Sequence, residues 1–385
     1  MTAPGTMTAK PPLALSAASF VSTFDRFAVT PMLVLIAAGL GAPLAATVSV
    51  ASGYFLAYGV SQAAWGVLSD RYGRIRIMRL TLLGAAAAGV VSALAPELTS
   101  LIVARIAAGA CFGAIIPTSL TYVGDTVAQQ QRQQALSRLV GLMAIGTALA
   151  TALSGALADL VHWRAVFVLP ALLAVPCSFA LRGLPEPKLP EVTSLRTHVT
   201  AVLRNRWALV VFGLAFVEGG VLLGTMTFLA SALQHHGVEA TAAGLATAGY
   251  GIGVWAFSAL LRLVSQRWPV WLLIVVGGAQ MCAGYVIVTA HVDITTVVIS
   301  TLLLGGGWSF MHSSLQTWAT SVAPTARGTA VSMFASALFG GSAASAAVGG
   351  LLVEDGQYPL LFGATAAVGA VLTTVAALAR HRYRP

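Results

Sequence analysis

The chain has 385 residues, of which 57% are hydrophobic and only 9% charged, with a mean hydropathy of +0.85. That balance excludes an ordinary soluble domain. The net charge of +9 is accounted for by basic loops lying against an anionic membrane leaflet, without nucleic acid. Cys111, Cys177 and Cys282 all fall inside apolar stretches, where neither a disulfide framework nor zinc spacing is present, so no metal is expected.

From the amino terminus, residues 1–12 are short and polar. The apolar run that follows is broken by Asp25-Arg26 and has no small-residue cleavage site, so it reads as an uncleaved first span. Apolar stretches bounded by charge, Gly or Pro place the first six spans near residues 13–38, 46–68, 77–95, 98–122, 137–158 and 165–181. Between the second and third lies Gly66-Val67-Leu68-Ser69-Asp70-Arg71-Tyr72-Gly73-Arg74, a dense charge cluster at the seam of two apolar segments. It resembles the G-x-x-x-D-R-x-G-R loop between the second and third helices of the major facilitator superfamily, and matches every fixed position. The fourth span carries Arg105-Ile106-Ala107-Ala108-Gly109 with Gly113 beyond it, similar to the R-x-x-x-G pattern of proton-coupled facilitators. Gly109 and Gly113 share a helical stripe with Arg105, letting another helix approach closely. The fifth span keeps small residues at Gly146, Ala150, Thr151, Ser154 and Gly155 without the proline common in drug antiporters. Trp163, Arg164 and Phe167 resemble the W-R-x-x-F start of helix six.

A polar, Pro-rich connection over residues 182–206 separates these from six further spans near 207–232, 241–263, 270–290, 294–317, 326–352 and 359–379. The expected organisation is an all-α polytopic membrane protein with 12 transmembrane helices: one six-helix bundle over 1–181, a cytoplasmic loop over 182–206, and a second bundle over 207–385. Lys and Arg gather on the cytoplasmic side of membrane proteins. With both termini inside, every basic residue except Arg26, Arg105 and Arg164 falls on that side, while Glu97, Asp159, Glu239, Asp293, Glu354 and Asp355 fall on the other. The halves also repeat at an offset of about 195 residues: Arg132 meets Arg327, Gly146 meets Gly341, Gly155 meets Gly350, and Phe167 meets Phe362.

Ionisable groups inside the spans are few: Asp25, Arg26, Arg105, Glu218 and His312. Each costs at least about 2.5 kcal/mol at a bilayer centre unless it faces a partner or a wet cavity, so such groups mark ion or substrate pathways. Asp25 and Glu218 sit at equivalent repeat positions. The functional expectation is that these two carboxylates carry protons, Glu218 foremost, with Gly219 and Gly220 leaving room for substrate or water. Asp25, Arg26 and Arg105 equally fit a static ion-pair lock. The resemblance assigns Arg105 to proton transfer or to tuning a carboxylate. It also gives the loop motif a gating role. Asp70 would meet the amino end of helix eleven and hold the cytoplasmic side shut in the outward-facing state, Arg71 and Arg74 would pair with Asp125, and Gly66 and Gly73 would allow close packing and a tight turn.

Aromatic residues of the cavity helices, Phe24, Phe27, Tyr54, Tyr58, Phe228, Tyr250 and Trp308, with His312, are the candidate substrate contacts. Few charges and many apolar walls fit a lipophilic or amphipathic solute. The resemblance as a whole implies a monomeric transporter of the plasma membrane, closest to the drug:proton antiporter branch. It would export small molecules against protons with no cofactor beyond the proton gradient. A proton symporter and a narrow exporter of a metabolite, lipid or natural product are the alternatives, as is a sensor on a transporter scaffold. An enzyme is not expected, because no nucleophile, base and orienter occur together. No nucleotide-binding G-x-x-x-x-G-K-[ST] loop is present.

Overall fold

The computed structural model describes residues 11–187, 195–324 and 326–383, and these are almost entirely helical. Twelve spans follow in chain order. They are α1 (Leu13–Leu40), α2 (Leu44–Tyr72), α3 (Arg74–Leu94), α4 (Leu98–Thr126), α5 (Gln129–Leu157), α6 (Trp163–Ala180), α7 (Arg206–His235), α8 (Ala240–Val264), α9 (Val270–Ala290), α10 (Ile294–Val322), α11 (Arg327–Glu354) and α12 (Tyr358–Arg382). The segments α5 and α6 form one continuous helical stretch, Gln129–Gly183, reversed by a widened turn at Ala158–His162. There His162 is extended and its ring Nδ1 accepts a hydrogen bond from the Arg164 amide at 3.1 Å.

The charge cluster after α2 is less of a loop than its polarity predicts. Asp70 and Arg71 belong to the last turn of α2, Arg74 opens α3, and Gly73 alone makes the bend at φ +105°. The connection between the halves likewise contains a short helix, Leu195–Arg204. Its charged residues hid the helical spacing of Leu195, Val199, Val202 and Leu203.

Each half packs in the same order. In the first, α1 lies against α5, α2 against α4, and α3 against α6; in the second, α7 lies against α11, α8 against α10, and α9 against α12. The halves meet along two seams, α2 with α11 and α5 with α8. Lipid offers no hydrophobic drive for helix association, so contact depends on close approach of backbones. At the first seam a side chain on Gly59 would strike Phe339, and the Ser336 hydroxyl donates to the Gly59 carbonyl at 2.8 Å. At the second, Gly155 faces the Ala240 carbonyl and Gly244, and Gly251 faces the Ala144 carbonyl, with no space for a Cβ.

The side bearing Asp159, Glu239, Asp293 and Glu354 is shut. Asp159 at the end of α5 accepts from the Thr241 hydroxyl at 2.7 Å and its amide at 3.3 Å, at the amino end of α8. Glu354 at the end of α11 accepts from the Ala45 amide at 2.7 Å, at the amino end of α2. These carboxylates stand one repeat apart, so each half latches the first turn of a helix in the other, where unpaired N–H groups favour an anion. Gln234 of α7 adds a bond to the Pro31 carbonyl of α1 at 2.9 Å. On the basic side α5 and α8 diverge around a cleft of about 1240 Å³ lined by Ser16, Arg132, Ile145, Trp255, Arg262 and Ser313, among others.

Removing the charge from both latches, with Asp159→Asn and Glu354→Gln together, is expected to shift the protein toward opening on the acidic side. A net bond of about 1 kcal/mol corresponds to roughly fivefold per latch. Spin–spin distances between nitroxides at Val161 and His236 should lengthen most in the double variant; an unchanged distribution would refute the latch.

Candidate functional site

The buried charges are organised around α1. Asp25 and Arg105 form a two-pronged pair, Nη1 to Oδ1 at 2.9 Å and Nη2 to Oδ2 at 2.8 Å, with a further bond from Nη2 to the Asp25 carbonyl at 3.2 Å. Both are shut off from solvent, at 1% and 0% exposure. The guanidinium is sandwiched between the rings of Tyr54 at 4.5 Å and Phe167 at 4.9 Å. The glycine stripe beside it does what its spacing requires. Gly109 lies against the Tyr54 carbonyl and Gly113 against the Tyr58 carbonyl, which draws α4 onto α2 and aims Arg105 at α1. Breaking one side of such a pair leaves an uncompensated buried charge, a loss of about 3–5 kcal/mol.

Arg26, next in sequence, faces elsewhere. Its guanidinium carbon lies over the rings of Phe27 (4.8 Å), Tyr58 (5.4 Å) and Phe339 (5.7 Å). No ion pair to Arg26 is formed among the described residues, and its buried Nε has no hydrogen-bond partner. Arg26 therefore does not share Asp25 with Arg105.

The second carboxylate is not alone. Glu218 Oε2 lies 3.2 Å from His312 Nδ1, with both residues buried. His312, a candidate substrate contact from its sequence position, thus faces a carboxylate. The His312 ring stacks on Trp308 at 3.7 Å and meets Phe334 at 5.5 Å. Widened, π-type turns occur beside both partners: Gly220–Gly224 follows Glu218 in α7, and Trp308–His312 contains the histidine in α10. Such turns free backbone groups and recur at functional sites; here the Tyr285 hydroxyl donates to the Val221 carbonyl at 2.5 Å. Glu218 Oε1 has no hydrogen-bond partner among the described residues.

Gly219 and Gly220 do not open space for a solute. A Cβ on Gly219 would collide with the Leu338 carbonyl and one on Gly220 would crowd Ser345, while Gly341 presses on the Phe216 carbonyl. The small residues are consumed by the crossing of α7 with α11.

Of the candidate aromatics, Phe27, Tyr54, Tyr58, Tyr250, Trp308 and His312 gather around these charges. Phe27 and Tyr250 join the halves with ring centres 5.9 Å apart, and Tyr58 stacks on Tyr54 at 5.9 Å. Phe24 pairs instead with Phe20 inside the first half, and Phe228 packs against Gly349 near the shut side. Phe334, Phe339 and Phe167, none of them among the aromatic candidates, also pack on these charged groups. The repeat alignment of Phe167 was legible, but its contact with Arg105 was not.

The gating motif is partly rearranged. Arg74 Nε meets Asp125 at 2.5 Å and Arg74 Nη1 meets Asp70 at 2.8 Å. Arg71 lies over the Tyr72 ring at 5.3 Å rather than on Asp125. Asp70 accepts from Arg74 and makes no bond to the first turn of α11 among the described residues. The anion at a helix start is instead Glu186, which accepts from the Ile75 and Arg76 amides at 3.1 and 3.3 Å. A side chain on Gly73 would strike its carboxylate. Glu186 lies in the polar connection after α6, and nothing in its sequence surroundings marks it.

A family model described as Major Facilitator Superfamily matches residues 15–234 and 211–385. A triacylglyceride transporter of Mycolicibacterium smegmatis is 31% identical over 170 residues, 42% of this chain and 30% of that protein. The efflux pump dotC of Dothistroma septosporum is 31% identical over 211 residues, 55% of this chain and 35% of that protein. The chain thus matches about a third of the length of these two relatives. The MFS-type transporter YfhI of Bacillus subtilis is 24% identical over 306 residues, 76% of this chain and 75% of that protein. Among solved structures, a variant of the nucleoside transporter NupG aligns with a TM-score of 0.82 over 96% of this chain and 99% of that chain at 15% identity. A bacterial homologue of the lysosomal transporter Spinster aligns at 0.73 over 97% and 98%, at 17% identity. These likenesses bear on the fold.

Asp25→Asn and Arg105→Gln should each lower the melting temperature of the detergent-purified protein, because each strands a buried charge or donor set. The double variant should melt above Arg105→Gln, which alone leaves an unpaired buried carboxylate. Equal melting of all three would show that the pair is not coupled.

Proposed function

This chain belongs to the Major Facilitator Superfamily and is a multi-pass membrane transporter rather than an enzyme; we propose that it is a proton-coupled carrier exporting lipophilic or amphipathic small molecules by alternating access. The observation that carries this reading is the buried Glu218–His312 contact between two widened helical turns. A carboxyl group and an imidazole at hydrogen-bond distance can hold one proton or two. The second proton neutralises Glu218 and removes its attraction for the ring, which loosens α7 from α10. By contrast Asp25 is held by three bonds from Arg105 and serves to anchor α1 to α4.

The basic side is read as cytoplasmic in a plasma membrane, with both termini inside. In that orientation the cleft between α5 and α8 opens inward, and a substrate dissolved in the inner leaflet reaches α10 at Ser313, the neighbour of His312. For exchange, substrate binding expels the Glu218 proton inward, and a proton from outside expels the substrate after the bundles rock. One carrier chain suffices, and the proton gradient is the sole energy source. Relatives named efflux pump and multidrug export protein favour this direction. A second mode, in which proton and solute move together, is favoured by the unpaired positive charge of Arg26.

Glu218→Gln in proteoliposomes under an imposed pH gradient should abolish solute-dependent proton flux, by at least about tenfold, while leaving solute counterflow. The panel comprises tetraphenylphosphonium, chloramphenicol and 2-naphthoate. Opposed fluxes in wild type identify exchange, parallel fluxes identify cotransport, and full coupling in the variant removes Glu218 from the mechanism.

A further inference from the structure

Arg26 carries a full positive charge in the membrane interior, yet no carboxylate of the described chain is within ion-pair distance of it. Its neighbour Asp25 is fully used by Arg105. Arginine stays charged even when buried, so titration offers no escape. The three rings around it supply only weak cation–π attraction. The residue is only partly buried although its Nε is sealed; its accessible part is therefore the outer Nη fork. Two of the rings, Phe27 and Tyr58, belong to the first half and Phe339 to the second, so the fork stands where the halves must separate and rejoin. The Tyr58 hydroxyl, also buried, stands beside this guanidinium and the Ser22 hydroxyl.

We propose that the Arg26 guanidinium docks the carboxylate of an amphipathic organic acid, so that the substrates of this transporter are monoanions with an apolar body. A planar fork with paired N–H donors matches a carboxylate in two-pronged geometry, which a lone ammonium does not. Phe27, Tyr58 and Phe339 are buried against the guanidinium here and become apolar walls for the body of the molecule as the halves part. A lipophilic cation meets the wrong sign here. Across the seam between the halves, Tyr250 meets the Phe27 ring and is within electrostatic reach of both Arg26 and Glu218. An ionised Glu218 opposes a second anion, and a protonated one does not; proton and acid therefore load together, as in the second, cotransport mode. The inference rests on that mode and on the reading that Glu218 takes the proton.

The test uses the full-length purified protein in detergent, with 2-naphthoate, 2-naphthamide and 2-naphthylmethylammonium as matched probes, read by tryptophan fluorescence and thermal shift. Wild type should prefer 2-naphthoate over both others. Arg26→Gln should weaken 2-naphthoate about tenfold, as expected for a lost charged hydrogen bond, with little effect on 2-naphthamide. Arg26→Lys, which retains charge without the fork, should fall between, and it decides the matter if Arg26→Gln does not fold. Glu218→Gln should bind 2-naphthoate at least as tightly as wild type. Equal binding of the three probes, or undiminished 2-naphthoate affinity in the folded Arg26 variants, overturns the proposal. If 2-naphthoate binds through Arg26 while Glu218→Gln remains fully proton-coupled, the proton reading fails and the anion site stands. If Glu218→Gln is uncoupled while binding ignores Arg26, the reverse holds.

Discussion

A charge inside hydrocarbon has no water to solvate it, and that constraint organises this molecule. The chain keeps five ionisable side chains within its spans and gives them three different fates. Asp25 and Arg105 satisfy one another almost completely, with aromatic rings filling what remains of the guanidinium surface. Glu218 is satisfied through one oxygen only, by the imidazole of His312. Arg26 meets three aromatic rings and, among the described residues, no acid. The gradient from locked to half-satisfied to unpaired runs from scaffold to the proposed proton site to the proposed ligand site.

Such a gradient needs helices that approach closely enough to hold some groups and loosely enough to release others. Glycine supplies the first condition: the stripe at Gly109 and Gly113 brings α4 against α2, and Gly219 with Gly341 brings α7 against α11. The widened turns at Gly220–Gly224 and Trp308–His312 supply the second, since a helix with an interrupted hydrogen-bond ladder bends at lower cost. At the closed face the halves grip each other reciprocally through Asp159 and Glu354, so one repeat unit written twice makes both latches. Each latch pairs an exposed carboxylate with backbone amides, a contact strong enough to bias a conformation and weak enough to be exchanged.

What could be read in advance was whatever depends on one helix or on bulk composition. Span number, the sidedness of the basic residues, the two-fold repeat and the R-x-x-x-G stripe all follow from spacing and from the solvent preference of side chains. So did the identity of the costly charges. Errors arose where the decisive neighbour is remote in sequence. Gly219 looked like open space because the Leu338 carbonyl that fills it lies on another helix. Glu186, remote in sequence, took the start of α3, which no local pattern marked. Phe24 and Phe228 have the same composition signature as Phe27 and Tyr250 and differ only in which face of the bundle they occupy.

The sequence by itself determined a twelve-span, two-fold repeated carrier with five ionisable groups set deep in its spans, because hydropathy, charge bias and helical periodicity are properties of short stretches. The tertiary structure alone decided who pairs with whom: Arg105 with Asp25, His312 with Glu218, and, among the described residues, no acid with Arg26. Pairing is a matter of a few ångströms between helices about 80 to 94 residues apart in the chain. Those distances are set by backbone crossings that glycine permits, and the charges then fall into place around them.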